Sequence, residues 1–206
     1  MLLEGLQLGQ RLELGGKDPS LVFEDVDLER TVNGIMWGAF TNAGQSCTSI
    51  ERLYIHESIY QPLLDMLVEK TKKMTVSHAG RDYKTSADVD MGAVTAEFQI
   101  RIIEDHIQDA VERGGKVETT LMPATLLDHV TPAMHIYREE SFAPVKAIVR
   151  VNGVEEAVAC ANDNEFGLSA AVFGRDVARA WQVAGRIESG ICHVNGPTVH
   201  DEAQMP

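Results

Sequence analysis

With 206 residues and 44% hydrophobic side chains, the chain is long enough to bury one sizeable core. Its 31 acidic against 18 basic side chains leave a formal net charge of −13, which opposes nucleic-acid or anionic-membrane partners, and no basic stretch offsets it. No apolar run approaches the roughly 20 residues that span a bilayer, and MLLEGLQLGQRLE lacks the basic start and apolar core of a secretion signal, so a cytoplasmic protein is expected.

In chain order, Leu12 and Leu14 alternate with Glu13, as in a strand that turns Glu13 to the opposite side. After ELGGKDPSLVFEDVD a helical pattern starts near Leu28. It places Leu28, Val32, Ile35, Met36, Ala39 and Phe40 on one broad face, with Asp25 or Asp27 positioned to cap it. SIERLYIHES then reads as a strand, and Ser58 with Gln61 forms a capping-box signature for the next helix. That helix aligns Tyr60, Leu63, Leu64, Leu67 and Thr71. Beyond the polar GRDYKTSADVD, a further helix begins near Thr95, is expected to bury Ile100, Ile103, Ile107, Ala110 and Val111, and stops at Gly114 and Gly115. LMPATLL, PVKAIVRV, LSAAVFG and ICHVN read as strands, with helices over VEEAVACAND and DVARAWQVAGRIES between them. Helices alternating with near-continuous apolar strands predict an α/β domain with a mostly parallel sheet covered on both faces.

Three stretches carry candidate chemistry. In TNAGQSCTSIE, Cys47 stands among small and amide-bearing residues at a helix-to-strand turn. Read alone it is a small buried hydrophobe. A turn that aims backbone N–H groups at one point, with Gly44 allowing close approach, instead suits a thiolate nucleophile. Glu13, beside the paired glycines of RLELGGKDP, is either a surface charge or a carboxylate directed into a cleft. The GGK is not a phosphate loop, because Arg11 and Asp18 occupy positions that the P-loop pattern reserves for Gly and Ser or Thr. In EESFAPV, Pro144 holds Ala143 extended, so a loop enters a strand there, and its acidic residues either meet water or bind a hydroxyl-rich ligand such as a ribose. Cys47, Cys160 and Cys192 show neither a disulfide framework nor a zinc spacing, and the seven histidines form no metal-ligand pattern.

LELGGK at 12–17, FTNAGQSC at 40–47 and EESFAPV at 139–145, in that order and at these separations, resemble the signatures of the NAD(P)-dependent aldehyde dehydrogenase superfamily. MGAVTAEFQ, NDNEFGLSAAVF and SGICHVN are also similar to family segments. The resemblance implies a three-layer α/β/α catalytic domain with NAD or NADP as cofactor and a small aldehyde as substrate. Cys47 matches the nucleophile that attacks the aldehyde, with its backbone N–H as half of an oxyanion hole. Glu13 matches the base that activates water against the thioester. Glu140 resembles the residue that holds the nicotinamide ribose, and Phe142 the aromatic beside the nicotinamide ring. HVNGPTVHDEAQMP and YREESF are similar to the branch that oxidises aromatic aldehydes such as vanillin, salicylaldehyde or benzaldehyde.

Against the family pattern, Ala143 replaces a glycine and is expected to crowd the cofactor approach, and the connection from Gly115 to Pro123 is short. The resemblance assigns residues 1–16 to the end of a nucleotide-binding domain that is otherwise absent, residues 17–196 to the catalytic domain and residues 197–206 to a truncated C-terminal loop. On that division the isolated chain is expected to bind NAD weakly or not at all and to expose an apolar face. Family members form homo-oligomers. A coenzyme A-acylating dehydrogenase, disfavoured by Glu13, and a non-catalytic remnant or subunit-interaction module are the alternatives.

Overall fold

The computed structural model describes residues 14–77, 89–119 and 124–199. Among them a seven-stranded sheet runs β3-β4-β5-β2-β1-β6-β7, with strands β1 (Asp18–Val22), β2 (Ile50–His56), β3 (Lys116–Val117), β4 (Thr125–Asp128), β5 (Val145–Val151), β6 (Ser169–Phe173) and β7 (Ile191–Val194). All pairings are parallel except the edge hairpin of β3 with β4. Helices α1 (Leu28–Phe40), α2 (Tyr60–Lys73), α3 (Glu97–Glu112), α4 (His135–Arg138), α5 (Val154–Asn162) and α6 (Val177–Ala184) connect them.

Successive strand residues enter opposite core layers, as a strand period of two dictates. Leu21, Tyr54, Ala147 and Val172 pack with Ile103 and Ala110 of α3, Ala157 of α5 and Val183 of α6. Their neighbours Val22, Leu53, Ile55, Ile148 and Phe173 pack with Val32 and Ile35 of α1 and Leu63 and Leu67 of α2. Helices therefore cover both faces, and the predicted α/β/α arrangement stands. Among the described residues no helix is long and apolar enough to cross a membrane, no group of His, Cys, Asp or Glu is placed to hold a metal, and no disulfide joins the cysteines.

Three sequence expectations change. DPSLV, unassigned by pattern, is the central strand β1. Pro19 argues against a central strand because it lacks an N–H, but here it sits at a register shift between Asp18 and Pro19, where a ladder bond is already lost. Asp27 caps α1 as expected, accepting from Arg30 N at 3.0 Å. The Ser58/Gln61 capping box does not form: Ser58 pairs with His56 Nδ1 at 2.9 Å, a 3₁₀ turn (Glu57–Ile59) precedes α2, and Gln61 donates to Asp65. Helix α3 is rotated from its expected face, exposing Val111 (49%) and Ile100 (38%) while burying Gln99 and His106. Those two polar residues face the 139–142 loop, as described below, so a polar neighbour outweighs the hydrophobic stripe. Ala143 is fully buried in the core.

Candidate active site

Because β1, β2, β5 and β6 run parallel, the segments that precede them meet along one edge of the sheet. Gly16 leads into β1, Cys47 into β2 and Glu140 to Ala143 into β5. Three motifs far apart in sequence thereby converge. The Gly16 N–H donates to Glu140 Oε1 at 2.8 Å, and a side chain at Gly16 would collide with the backbone carbonyl of Cys47. Gly15 adopts φ +78°, where a Cβ would meet the Glu140 carboxylate at 2.6 Å. Both glycines are therefore required by close approach, Gly15 also by its left-handed backbone.

Cys47 is half-buried. Ahead of it Asn42, Ala43 and Gly44 take φ of 54°, 58° and 66°, three left-handed residues in succession, in a conformation that costs roughly 1 kcal/mol or more at each non-glycine position. The turn is cross-braced by Asn42 Nδ2 to Gln45 O (2.8 Å) and by Gln45 Oε1, which accepts from both the N–H (3.0 Å) and the hydroxyl (2.8 Å) of Thr95. A side chain on Gly44 would strike the carbonyl of Ala143, so the Cys47 turn lies directly against the EESFAPV loop. In that loop Phe142 is also left-handed, with φ 45°, and is 36% exposed. Gln99 Nε2 donates to the Ser141 carbonyl, and His106 links the Ser141 hydroxyl (3.1 Å) to Glu139 (3.4 Å). Glu140 borders a cleft of about 470 Å³ that it shares with Arg138, Glu139, Asn164, Glu165 and Phe166. Burial raises its carboxyl above the usual range, against the Gly16 hydrogen bond.

Beneath these loops lies a layer of buried charge that pattern reading did not single out. Lys17 Nζ pairs with Glu51 Oε2 at 2.7 Å, at exposures of 0% and 2%. Arg52, fully buried, donates to the carbonyls of Lys17 (2.8 and 3.0 Å), Cys160 (3.2 Å) and Ala161 (3.0 Å) and to Tyr54 Oη (3.0 Å). Lys146 Nζ donates to Ser49 Oγ at 3.0 Å, and burial pushes its ammonium down to about 8. Asp18 accepts from the Ser169 N–H (3.1 Å) and hydroxyl (2.8 Å). Glu13 lies outside the described residues, two positions before Gly15.

Burial pushes the Asp18 carboxyl up from 3.8 to about 7, against those two hydrogen bonds. A folded value above the unfolded one means that the fold favours the protonated acid. This contribution to stability is complete below about pH 4 and disappears as the pH rises through about 7. Asp18→Asn cannot ionise, so its stability relative to the parent is expected to grow on the order of a few kcal/mol from about pH 5 to about pH 8. Urea midpoints at the two pH values check this, and parallel pH curves for the two proteins would refute it.

The aldehyde dehydrogenase family model matches residues 7–206. The chain belongs to the aldehyde dehydrogenase family. It is 45% identical over 201 residues to a vanillin dehydrogenase of Pseudomonas sp. (strain HR199 / DSM 7063), covering 95% of this chain and 40% of that one. Among solved structures it is similar to a salicylaldehyde dehydrogenase from Pseudomonas putida G7 complexed with salicylaldehyde, at TM-score 0.86 and 39% identity over 95% of this chain and 41% of the other. It is also similar to an NADP-dependent glyceraldehyde-3-phosphate dehydrogenase from Bacillus halodurans C-125 complexed with NADP, at TM-score 0.85 and 35% identity over 94% and 40%. The chain spans about 40% of the length of these aldehyde dehydrogenase relatives.

Proposed function

We propose that this chain carries the reacting centre of an NAD- or NADP-dependent enzyme that oxidises an aldehyde, an aromatic one, to its carboxylic acid. The observation that carries the reading is the placement of Gly16 between the Cys47 carbonyl and the Glu140 carboxylate, which brings the backbone of the cysteine turn and a carboxylate acceptor to one spot. The aromatic assignment draws on the vanillin and salicylaldehyde dehydrogenases named above. In this reading residues 17–196 are the catalytic domain, 1–16 the end of a nucleotide-binding domain and 197–206 a C-terminal loop. The protein acts in the cytoplasm as a homo-oligomer.

The Cys47 thiolate adds to the aldehyde carbon, forming a C–S bond as the carbonyl π electrons move to oxygen. Departure of the aldehydic hydrogen as hydride then leaves a thioester on Cys47. Glu13 takes a proton from water, the resulting hydroxide adds to the thioester carbon, and the C–S bond breaks to return the thiolate and release the acid. The nicotinamide ring, when bound, supplies the hydride acceptor that no side chain can provide. The residues suit that group. Glu140 has one oxygen held by Gly16 and the other available to a ribose hydroxyl, and Phe142 offers an exposed ring.

Thiol reactivity tests the reading. A thiolate is the reactive form, and burial pushes the Cys192 thiol up to about 11. Iodoacetamide is therefore expected to label Cys47 at least about tenfold faster than Cys160 or Cys192, as followed by peptide mass spectrometry. Comparable rates at all three would sink the nucleophile assignment.

A further inference from the structure

One buried carboxylate joins the Lys17 segment to the 139–142 loop. Glu51 lies on β2 four residues after Cys47 and is 2% exposed. Its Oε2 accepts from Lys17 Nζ (2.7 Å) and from the Ser141 N–H (3.2 Å), and its Oε1 from the Phe142 N–H (3.1 Å). Lys17 follows Gly16, whose N–H holds Glu140, and Glu140 precedes Ser141. The contacts close a ring: Gly16 and Lys17 to Glu51, Glu51 to the Ser141 and Phe142 amides, and Glu140 back to Gly16. Burial alone would raise the Glu51 carboxyl, but Lys17 and Lys146 hold it below the usual carboxylate range, so it remains an acceptor for all three donors.

We propose that Glu51 is a positioning residue for the cofactor-facing loop: it clamps two consecutive amides and so fixes Glu140 and Phe142 relative to Cys47. The inference rests on the dehydrogenase reading of the site. Phe142 is held at a strained φ of 45°, a conformation that persists only where surrounding contacts over-determine it, and the two Glu51 oxygens are contacts of that kind. Glutamine at this position can satisfy one amide N–H but presents its own NH₂ to the other. It also leaves the Lys17 ammonium buried without a counter-charge.

The test uses the 206-residue chain with Glu51→Gln, with Glu51→Asp, and with Lys17→Met and Glu51→Gln combined. The combined variant removes the Lys17 ammonium together with its counter-charge and guards against simple misfolding. In it, the Ser141 and Phe142 amides are expected to exchange hydrogen at least about tenfold faster than in the parent, while Leu53 and Ile148 keep their protection. Glu51→Asp, which keeps the charge and both oxygens, is expected to fall between the parent and the combined variant. Unchanged exchange at both amides overturns the clamp. Uniform loss of protection through β2 and β5 overturns it too, since that marks a purely structural role. A parent chain that 4-nitrophenyl acetate fails to acylate at Cys47 refutes the dehydrogenase reading instead, and the exchange rates then decide the clamp by themselves.

Discussion

Cys47→Ala is expected to remove acylation by 4-nitrophenyl acetate, with at least about a 10³-fold loss of rate, because a covalent nucleophile has no partial substitute. The ester is a suitable probe since it needs no hydride acceptor: the thiolate adds to the acyl carbon, 4-nitrophenolate leaves, and an acetyl thioester remains. Neither other thiol is placed to take over. Cys160 sits in α5, where its carbonyl is bonded by Arg52, Tyr54 and Tyr137, and burial keeps the Cys192 thiol protonated at neutral pH. Cys47 is only half-buried, so the same change should shift the thermal midpoint by no more than about 4 °C. Stopped-flow release of 4-nitrophenolate gives the rate and calorimetry the midpoint. A variant that keeps a tenth of the parent rate would show that the acyl group goes elsewhere.

The helices that line the core were legible because their apolar residues recur at helical spacing: the stripe over Val32 and Ile35 and the stripe over Leu63, Leu64 and Leu67 are both buried as read. Legibility ended where a polar neighbour overrides that spacing. Gln99 and His106 turn inward because the carbonyl and hydroxyl of Ser141 await them, a fact held 35 or more residues away. The buried charges were hidden for a related reason. Lys17, Glu51, Arg52 and Lys146 look like ordinary surface charges in KDPS, IERL and PVKA, and only the parallel register brings them together. Cys47, Glu140 and Phe142 could be picked out by resemblance, whereas the glycine contact that joins them is visible only in three dimensions. Position on the sheet was not legible at all. Open parallel sheets commonly bind ligands at the carboxyl ends of their strands, and a cleft does lie there, beside Phe173, Gly174 and Asn195. The motif residues gather at the opposite, amino-terminal edge, where Arg52 and the Lys17–Glu51 pair hold the strand entrances in place.

That edge makes Gly16 the position most sensitive to a single added carbon. A methyl group there would overlap the Cys47 carbonyl oxygen and press on Asp18 Oδ1 at 3.0 Å. Neither can yield freely: the first is backbone of the Cys47 turn, and the second is held by Ser169. To relieve the overlap, the Gly15–Gly16 segment must lift away from Cys47, which also draws the Gly16 N–H from Glu140. Gly16→Ala is therefore expected to lower the acylation rate of Cys47 at least about 10²-fold, the size of loss that a displacement of about 1 Å brings. The stability cost should be only about 1–3 kcal/mol, the usual range for overpacking. Gly92→Ala is the matched control, because nothing lies within 4 Å of a Cβ at that position. It should change the acylation rate by less than about twofold and stability by no more than about 0.5 kcal/mol. If the two variants acylated at the same rate, the contact between Gly16 and the Cys47 turn would have no part in the chemistry, and the convergence on which the proposed function rests would lose its meaning.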